Sequence, residues 1–226
     1  MAKTKTIDEP ANSRSRHTRS ALLDAARELI EQEGVEKLSM ARIADKAGVS
    51  RRAVYLHFAS RTDLMTGLFD HVSRAEGLDV SVSAVWSARD SEAALTEWAN
   101  HIARYHPRIL AVDRAVDHVR RTDPDAEQHR AVVINDQQAA CRRLARWLAD
   151  EGRLAAPWSV DTATDMLWAL MSSDMLARLL SDRGWSAGQL ADQLATLLNR
   201  TFIRASGPAP ARASKHVRTA AATLPR

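Results

Sequence analysis

The chain has 226 residues, 45% of them apolar and 27% charged, with a formal net charge of +4, which is typical of a folded protein. Its 8 glycines and 7 prolines are few for this length and favour long helices over turn-rich β-structure. The longest apolar run, residues 166–171, is too short for a membrane span. Residues 1–19 lack the apolar core of a secretory signal. One cysteine cannot form an intrachain disulfide. We therefore expect a cytoplasmic protein without membrane association.

The basic residues are concentrated at the two ends of the chain. Residues 1–60 carry 11 Lys and Arg against 8 Asp and Glu, residues 61–207 carry 17 against 20, and residues 208–226 carry 4 against none. A basic N-terminal segment beside an acidic body fits a module that binds a polyanion, but it also fits an ordinary solvated surface.

Composition divides the chain into four parts. Residues 1–15 have no helical periodicity and predict a flexible basic arm, and residues 206–226, with three prolines and no acidic residue, predict a disordered basic tail. Between them we expect one helical domain over residues 16–60 and a second over residues 61–205.

The first domain has the periodicity of short helices. Apolar residues three and four apart between positions 22 and 30 predict a first helix, which Gly34 ends. Two short helices are predicted over about residues 40–47, with Ser39 as the expected N-cap, and over about residues 51–58, and a capping motif at Ser60 predicts the start of a fourth.

The second domain begins with an ambiguous segment. Residues 79–86 alternate like a β-strand, but one strand cannot form a sheet, and we interpret the segment as a connector. The next predicted helix is expected to break or kink at Pro107. Asp123 followed by Pro124 predicts the start of a long helix that ends at Gly152.

The last two predicted helices are capped by serines. Ser159 is expected to begin a helix that extends to about residue 182, and Ser186 a helix that ends near residue 205. A tight turn at Gly184 predicts that these helices are antiparallel. The sequence therefore predicts an all-α fold of about nine helices without a sheet.

The two short helices have the spacing of a helix-turn-helix motif, because only Gly48, Val49 and Ser50 separate them. Small Ala44 fits the point where the helices touch, and Gly48 fits a turn position that often requires positive φ. Ser50 is the predicted N-cap of the second helix, whose N-terminus would carry partial positive charge. A structural corner inside an all-helical core is the alternative interpretation.

The second helix of the motif begins with residues suited to reading the DNA major groove. They are Ser50, Arg51, Arg52 and Ala53. Neighbouring residues on a helix point about 100° apart, so we expect one arginine to pair with guanine O6 and N7 and the other to contact a phosphate. For either arginine alone, a solvated surface charge is the alternative.

The segment from Gly34 to Leu64, GVEKLSMARIADKAGVSRRAVYLHFASRTDL, resembles the DNA-binding domain of the TetR (tetracycline-repressor) family. The resemblance extends from Thr18 to about Leu68 and implies a three-helix DNA-binding module, a homodimer and a C-terminal effector domain. It also implies that further residues contact DNA, namely Ser39, Arg42, Tyr55, His57 and Arg61. Arg61 stands where the family commonly has lysine, and His57 could equally pack under Phe58.

The last two predicted helices each carry a broad apolar stripe, and the resemblance implies that they pair with those of a second subunit. Burial of both stripes within one chain is the alternative. Aromatic and thioether side chains predict an effector cavity in the second domain, although each also fits ordinary core packing. The candidates are Trp98, His101, Tyr105, Trp168, Met171 and Met175.

Catalytic signatures are missing from the sequence. It contains no G-x-S-x-G, P-loop, H-E-x-x-H or G-x-G-x-x-G motif, and its eight histidines are scattered. We expect no enzyme activity, metal or cofactor. The sequence predicts a transcriptional repressor, which leaves a palindromic double-stranded DNA operator when a small, largely apolar effector binds. The alternative is a ligand-independent or activating DNA-binding protein with the same motif.

Overall fold

A computed structural model describes residues 12–122 and 124–204, except for the side chains of residues 124–126. Ten α-helices occupy this part of the chain, in which the only β feature is an isolated antiparallel bridge between Leu154 and Ile203. The all-α prediction is therefore confirmed, with one helix more than expected. None of the helices in these residues has the length and apolarity needed to cross a membrane.

The helices are numbered in chain order. Their bounds are α1 (Ser13–Glu33), α2 (Met40–Ala47), α3 (Arg51–His57), α4 (Arg61–Ala75), α5 (Leu78–Trp86), α6 (Ser91–Val119), α7 (Pro124–Asp150), α8 (Val160–Ala169), α9 (Ser173–Ala177) and α10 (Ala187–Phe202). A 3-10 turn, Val35–Lys37, follows α1, and a π-helical turn, Arg178–Asp182, continues α9.

Serine caps begin five of the helices where the sequence predicts them. In each case the serine side chain accepts a hydrogen bond from the backbone N–H three residues later, which satisfies a donor that the helix itself leaves free. The five are Ser39, Ser50, Ser60, Ser159 and Ser186.

The two predicted terminal segments fall mostly outside the described residues. Helix α1 begins at Ser13, capped by the side chain of Asn12, so residues 13–15 of the predicted arm are helical. The rest of that arm, the predicted tail at residues 206–226 and the predicted cap Asp123 lie outside the described part of the chain.

Residues 79–86 form helix α5, so the interpretation of this segment as a connector is wrong. The helix packs against α6, where Val85 is fully buried and the Ser81 hydroxyl lies 2.9 Å from Nδ1 of His101. Burial against a neighbouring helix outweighs the strand-like alternation of this short segment, because intrinsic propensities are weak compared with tertiary packing.

Helix α6 runs from Ser91 to Val119 through Pro107, so the predicted break does not occur. Pro107 cannot donate to the carbonyl of Ala103, which costs the helix one backbone hydrogen bond. The helix persists because both of its halves are buried against other helices.

The buried side chains form two cores that share α6. The first core joins α1–α4 to residues 105–119 of α6, and the second joins residues 94–103 of α6 to α5 and to the helices that follow α6. Helix α4 lies in the first core, although the predicted boundary at residue 60 assigns it to the second domain. The two buried parts of α6 meet at residue 104, three residues before Pro107, so one helix connects the N-terminal module to the C-terminal one.

The helix predicted from Ser159 to residue 182 is interrupted. Helix α8 ends at Ala169, and Ser172 caps α9 by accepting a hydrogen bond from the backbone N–H of Met175. The turn between them buries Met171, whose sulfur lies 3.7 Å from Sγ of Cys141. Helix α8 packs on α7, whereas α10 packs on α6.

Candidate nucleic-acid interface

Helices α2 and α3 form the predicted helix-turn-helix. Helix α2 ends at Gly48, which has a left-handed φ of 67°. The N–H of Val49 donates to the carbonyl of Ala44 at 3.0 Å, and the Ala44 side chain is fully buried. Open space surrounds the position of a Cβ at Gly48, so glycine is favoured there by its backbone conformation and not by crowding.

Helix α3 presents a basic face next to this turn. Its only fully buried residue is Val54, and the side chains of Arg51 and Arg52 are exposed. Neither guanidinium has a carboxylate partner within the described part of the chain. Both arginines are therefore available to an anionic partner, and their contacts with DNA stay predictions.

Two large side chains near the end of α3 are also exposed. Tyr55 is 57% exposed and Leu56 is 77% exposed. Tyr55 is among the predicted contact residues but Leu56 is not, because an isolated leucine in a short helix is ordinarily a core residue. Its distance of two positions from the buried Val54 is the signal that identifies it as outward-facing.

Arg19 of α1 anchors the C-terminal end of α3. Its Nη1 donates to the carbonyl of His57 at 3.1 Å, and its guanidinium lies 4.3 Å from the ring centroid of Phe58. Gly67 of α4 permits this approach, because a Cβ there would lie 3.0 Å from Nη2 of Arg19 and 3.2 Å from Cε1 of Phe58. Burial, and then the nearby Arg19, lower the pKa of the His57 imidazole, which favours its neutral form.

Four of the predicted contact residues lie outside α3 and bond to the protein itself, and one of them, Ser50, is the N-cap of α3. Ser39 caps α2, and the guanidinium of Arg42 pairs with Glu33 at 2.5 Å. Arg42 also donates to the carbonyl of Lys37, and Arg61 donates to the carbonyl of Val35 at 2.8 Å. These arginines brace the 3-10 turn between α1 and α2, and their contacts with DNA stay predictions.

The predicted effector residues of α6 form a buried row of rings. The Trp98 and His101 ring centroids are 5.3 Å apart, and those of His101 and Tyr105 are 5.5 Å apart. Burial is the main cause that lowers the pKa of His101 to about 3 and that of His106 to about 4. Nε1 of Trp98 and Nε2 of His106 are buried without a hydrogen-bond partner among the described residues.

The other effector candidates lie in the second core. Nε1 of Trp168 donates to Oε1 of Gln137 at 3.2 Å, Met171 contacts Cys141, and Met175 packs at the edge of the core. Tyr105 instead belongs to the first core. An open groove of about 640 Å³ lies elsewhere and contains none of the six candidates, so their role as a ligand cavity stays a prediction. Its lining consists of Trp86, Ala139, Arg142, Arg143, Arg146, Trp147 and Asp150.

In the described residues no three His, Cys, Asp or Glu side chains are close enough together to hold a metal ion.

Comparison with known proteins places this geometry among bacterial regulators. A family model for bacterial regulatory proteins of the tetR family matches residues 22–68, which include α2, α3 and the turn between them. The chain is 24% identical over 188 residues to the HTH-type transcriptional repressor BepR of Brucella suis, an alignment that covers 74% of this chain and 83% of BepR.

Solved structures share the fold at low sequence identity. NalD of Pseudomonas aeruginosa, described as the secondary repressor of the MexAB-OprM multidrug efflux pump, superposes with a TM-score of 0.68 at 23% identity over 86% of this chain and 100% of NalD. The regulator FadR of Bacillus subtilis, in complex with stearoyl-CoA, superposes with a TM-score of 0.66 at 16% identity over 80% of this chain and 97% of FadR.

Proposed function

The chain belongs to the tetR family of bacterial regulatory proteins, and on this premise we propose that it regulates transcription by binding double-stranded DNA at specific sequences. The observation that carries the proposal is the exposure of Arg51 and Arg52 at the start of α3, the second helix of the helix-turn-helix, with no carboxylate partner among the residues that the structure describes. The remaining predicted contacts are Ser39, Arg42, Ser50, Ala53, Tyr55, His57 and Arg61. The proposal implies a cytoplasmic location, where the DNA lies.

The regulator acts as a homodimer on a palindromic operator. Two identical recognition helices match two half-sites that are separated by about one helical turn or a multiple of it. The dimer forms through α8 and α10, the last long helices, on which Met166 and Leu197 are exposed apolar residues. Repression is the proposed direction of control, because BepR is named a repressor and aligns over most of both chains.

A small, largely apolar effector releases the protein from DNA. The stearoyl-CoA in the FadR complex carries a long acyl chain, which supports an apolar effector for the aromatic and Met side chains of the second core. Helix α6 then transmits the change, since it belongs to both cores. Release by 100-fold requires about 2.7 kcal/mol of coupling between the two sites. The comparisons do not favour the ligand-independent alternative.

Selection of bound duplexes from a random-sequence DNA library tests the DNA-binding proposal. We expect enrichment of an inverted repeat, and an affinity for it that falls steeply between 50 and 200 mM salt, because phosphate contacts release counterions. Recovery of random sequences after repeated selection would contradict sequence-specific binding. An affinity independent of salt would contradict phosphate contacts.

A further inference from the structure

The outward ridge of the recognition helix consists of two residues of different chemistry. Successive residues of an α-helix are rotated by about 100°. Arg52 and Leu56 lie two positions before and two positions after the buried Val54, so each points about 160° away from the core. Arg51 and Tyr55 point to one flank of this ridge, and Ala53 and His57 point to the other. The ridge is the part of α3 that lies farthest from the core, and it would lie deepest in the major groove of a bound DNA.

Packing against the described residues does not account for Leu56 on this ridge. Its side chain is 77% exposed, and burial would stabilise the protein more than exposure does. It follows Arg52 by one helical turn, on a surface whose other members are two arginines and a tyrosine. A helix face with this charge is complementary to DNA, and an exposed apolar group within it is suited to contact an apolar group on the same ligand.

The major groove offers one such partner, the C5-methyl group of thymine. We propose that Leu56 is a specificity-determining residue that contacts a thymine methyl, while Arg52 pairs with a guanine and the flanking Arg51 contacts a phosphate. This inference rests on the proposed function and deepens it. It also distinguishes the roles of the two arginines, which sequence alone leaves open.

The distance between Arg52 and Leu56 along α3 limits how far apart the two base pairs that they contact can be. Arg52 and Leu56 are separated by about 6 Å along the helix axis, since each residue adds about 1.5 Å. Stacked base pairs are about 3.4 Å apart. The half-site therefore contains a G·C pair and an A·T pair at most about two base pairs apart, with the thymine methyl facing Leu56.

Removal of single methyl groups from the DNA tests this contact. In the selected operator, each thymine of a half-site is replaced in turn by deoxyuridine, which lacks only the C5-methyl group. We expect one position at which this change weakens binding of the unmodified protein about fourfold, as expected for about 0.8 kcal/mol per buried carbon group. Leu56→Ala weakens binding to the thymine operator and abolishes the difference between thymine and deoxyuridine at that position.

A matched control separates this contact from a general effect of the substitution. Val80→Ala on α5 removes an equally exposed side chain, 76% exposed, and leaves both the affinity and the thymine preference unchanged. The proposal is overturned if no thymine position responds, or if Leu56→Ala retains the full deoxyuridine effect. A failure of the library selection itself would instead overturn the proposed function, so the two outcomes are distinguishable.

Discussion

Five arginines of the N-terminal module fall into two groups by what their guanidiniums contact. Arg19, Arg42 and Arg61 donate to backbone carbonyls between helices, and their loss would leave those acceptors unpaired. Arg51 and Arg52 have no carboxylate partner in the described structure. Arg19 therefore holds the end of α3, and Arg42 and Arg61 brace the 3-10 turn before α2, whereas the second group is available to an anionic partner.

Two buried histidines of α6 make the stability of the protein depend on pH. Burial lowers the pKa of His101 to about 3 and of His106 to about 4, below the value near 6.5 expected in the unfolded chain. As the pH falls below about 6.5, the unfolded state binds protons first and gains stability. The free energy of unfolding should fall by up to about 1.4 kcal/mol per pH unit for each histidine between about pH 6.5 and 4.

Urea unfolding between pH 7 and 5 measures this effect. The slope against pH should decrease in His106→Gln, because one titrating group is removed. His17→Gln, which changes an exposed side chain of α1, should leave the slope unchanged. An equal slope in all three proteins would show that the buried imidazoles do not govern the acid sensitivity.

Among the helices, the sequence predicts starts that depend on a local cap, but it does not predict features that depend on packing against other helices. The caps at Ser39, Ser50 and Ser60 predict α2, α3 and α4 correctly, because a cap bonds within three residues along the chain. The helical state of α5 and the break at Ser172 depend on contacts with α6 and α7, which a linear pattern does not contain.

The candidate DNA-binding site likewise contains residues that the sequence predicts and contacts that only the fold shows. Arg51 and Arg52 follow from their place in the helix-turn-helix, whereas the ion pair of Arg42 with Glu33 joins two helices and requires the fold. The outward direction of Leu56 follows from a helical register that becomes certain only once Val54 is known to be buried.

Pro107 should limit the stability of α6. It occupies the interior of a 29-residue helix and removes one backbone hydrogen bond. Pro107→Ala should raise the free energy of unfolding by up to about 3 kcal/mol, the difference between the two residues inside a helix. Pro124→Ala is the control, since Pro124 is the first residue of α7 and has no helical bond to restore.

Thermal and urea unfolding of the three proteins give the comparison. Equal stabilities for Pro107→Ala and the unmodified protein would mean that the missing backbone hydrogen bond at Pro107 does not limit the stability of α6. A larger gain from Pro124→Ala would contradict the assignment of the cost to the helix interior.

In the whole molecule, α6 couples the two cores, because one of its halves is buried in each. Residues 94–103 pack among the C-terminal helices, and residues 105–119 pack against α1–α4. Arg130 of α7 pairs with Asp113 at 2.7 Å and with Asp117 at 2.9 Å, which ties α7 to the same end of α6. A displacement of α6 or α7 by a ligand would therefore reach the module that carries α3.

The proposed dimer can be tested at its exposed apolar residues. Leu197→Glu places a charge on α10, where pairing with a second subunit would bury it without a partner. We expect this variant to sediment as a monomer and to lose affinity for the palindromic operator, whereas Val80→Glu on α5 should remain dimeric. A dimeric Leu197→Glu protein with full affinity would contradict an interface that buries Leu197.

One binding experiment tests directly whether the outward face of α3 binds specific DNA sequences. The protein with Arg51→Ala and Arg52→Ala is compared on the selected operator with a protein in which Arg142 and Arg143, an adjacent exposed pair on α7, are changed to alanine. The first should bind at least about 30-fold more weakly, since a lost bidentate base contact costs about 2 kcal/mol, and the second within about twofold of the unmodified protein. Equal affinities for all three proteins, with folding intact, would contradict the account.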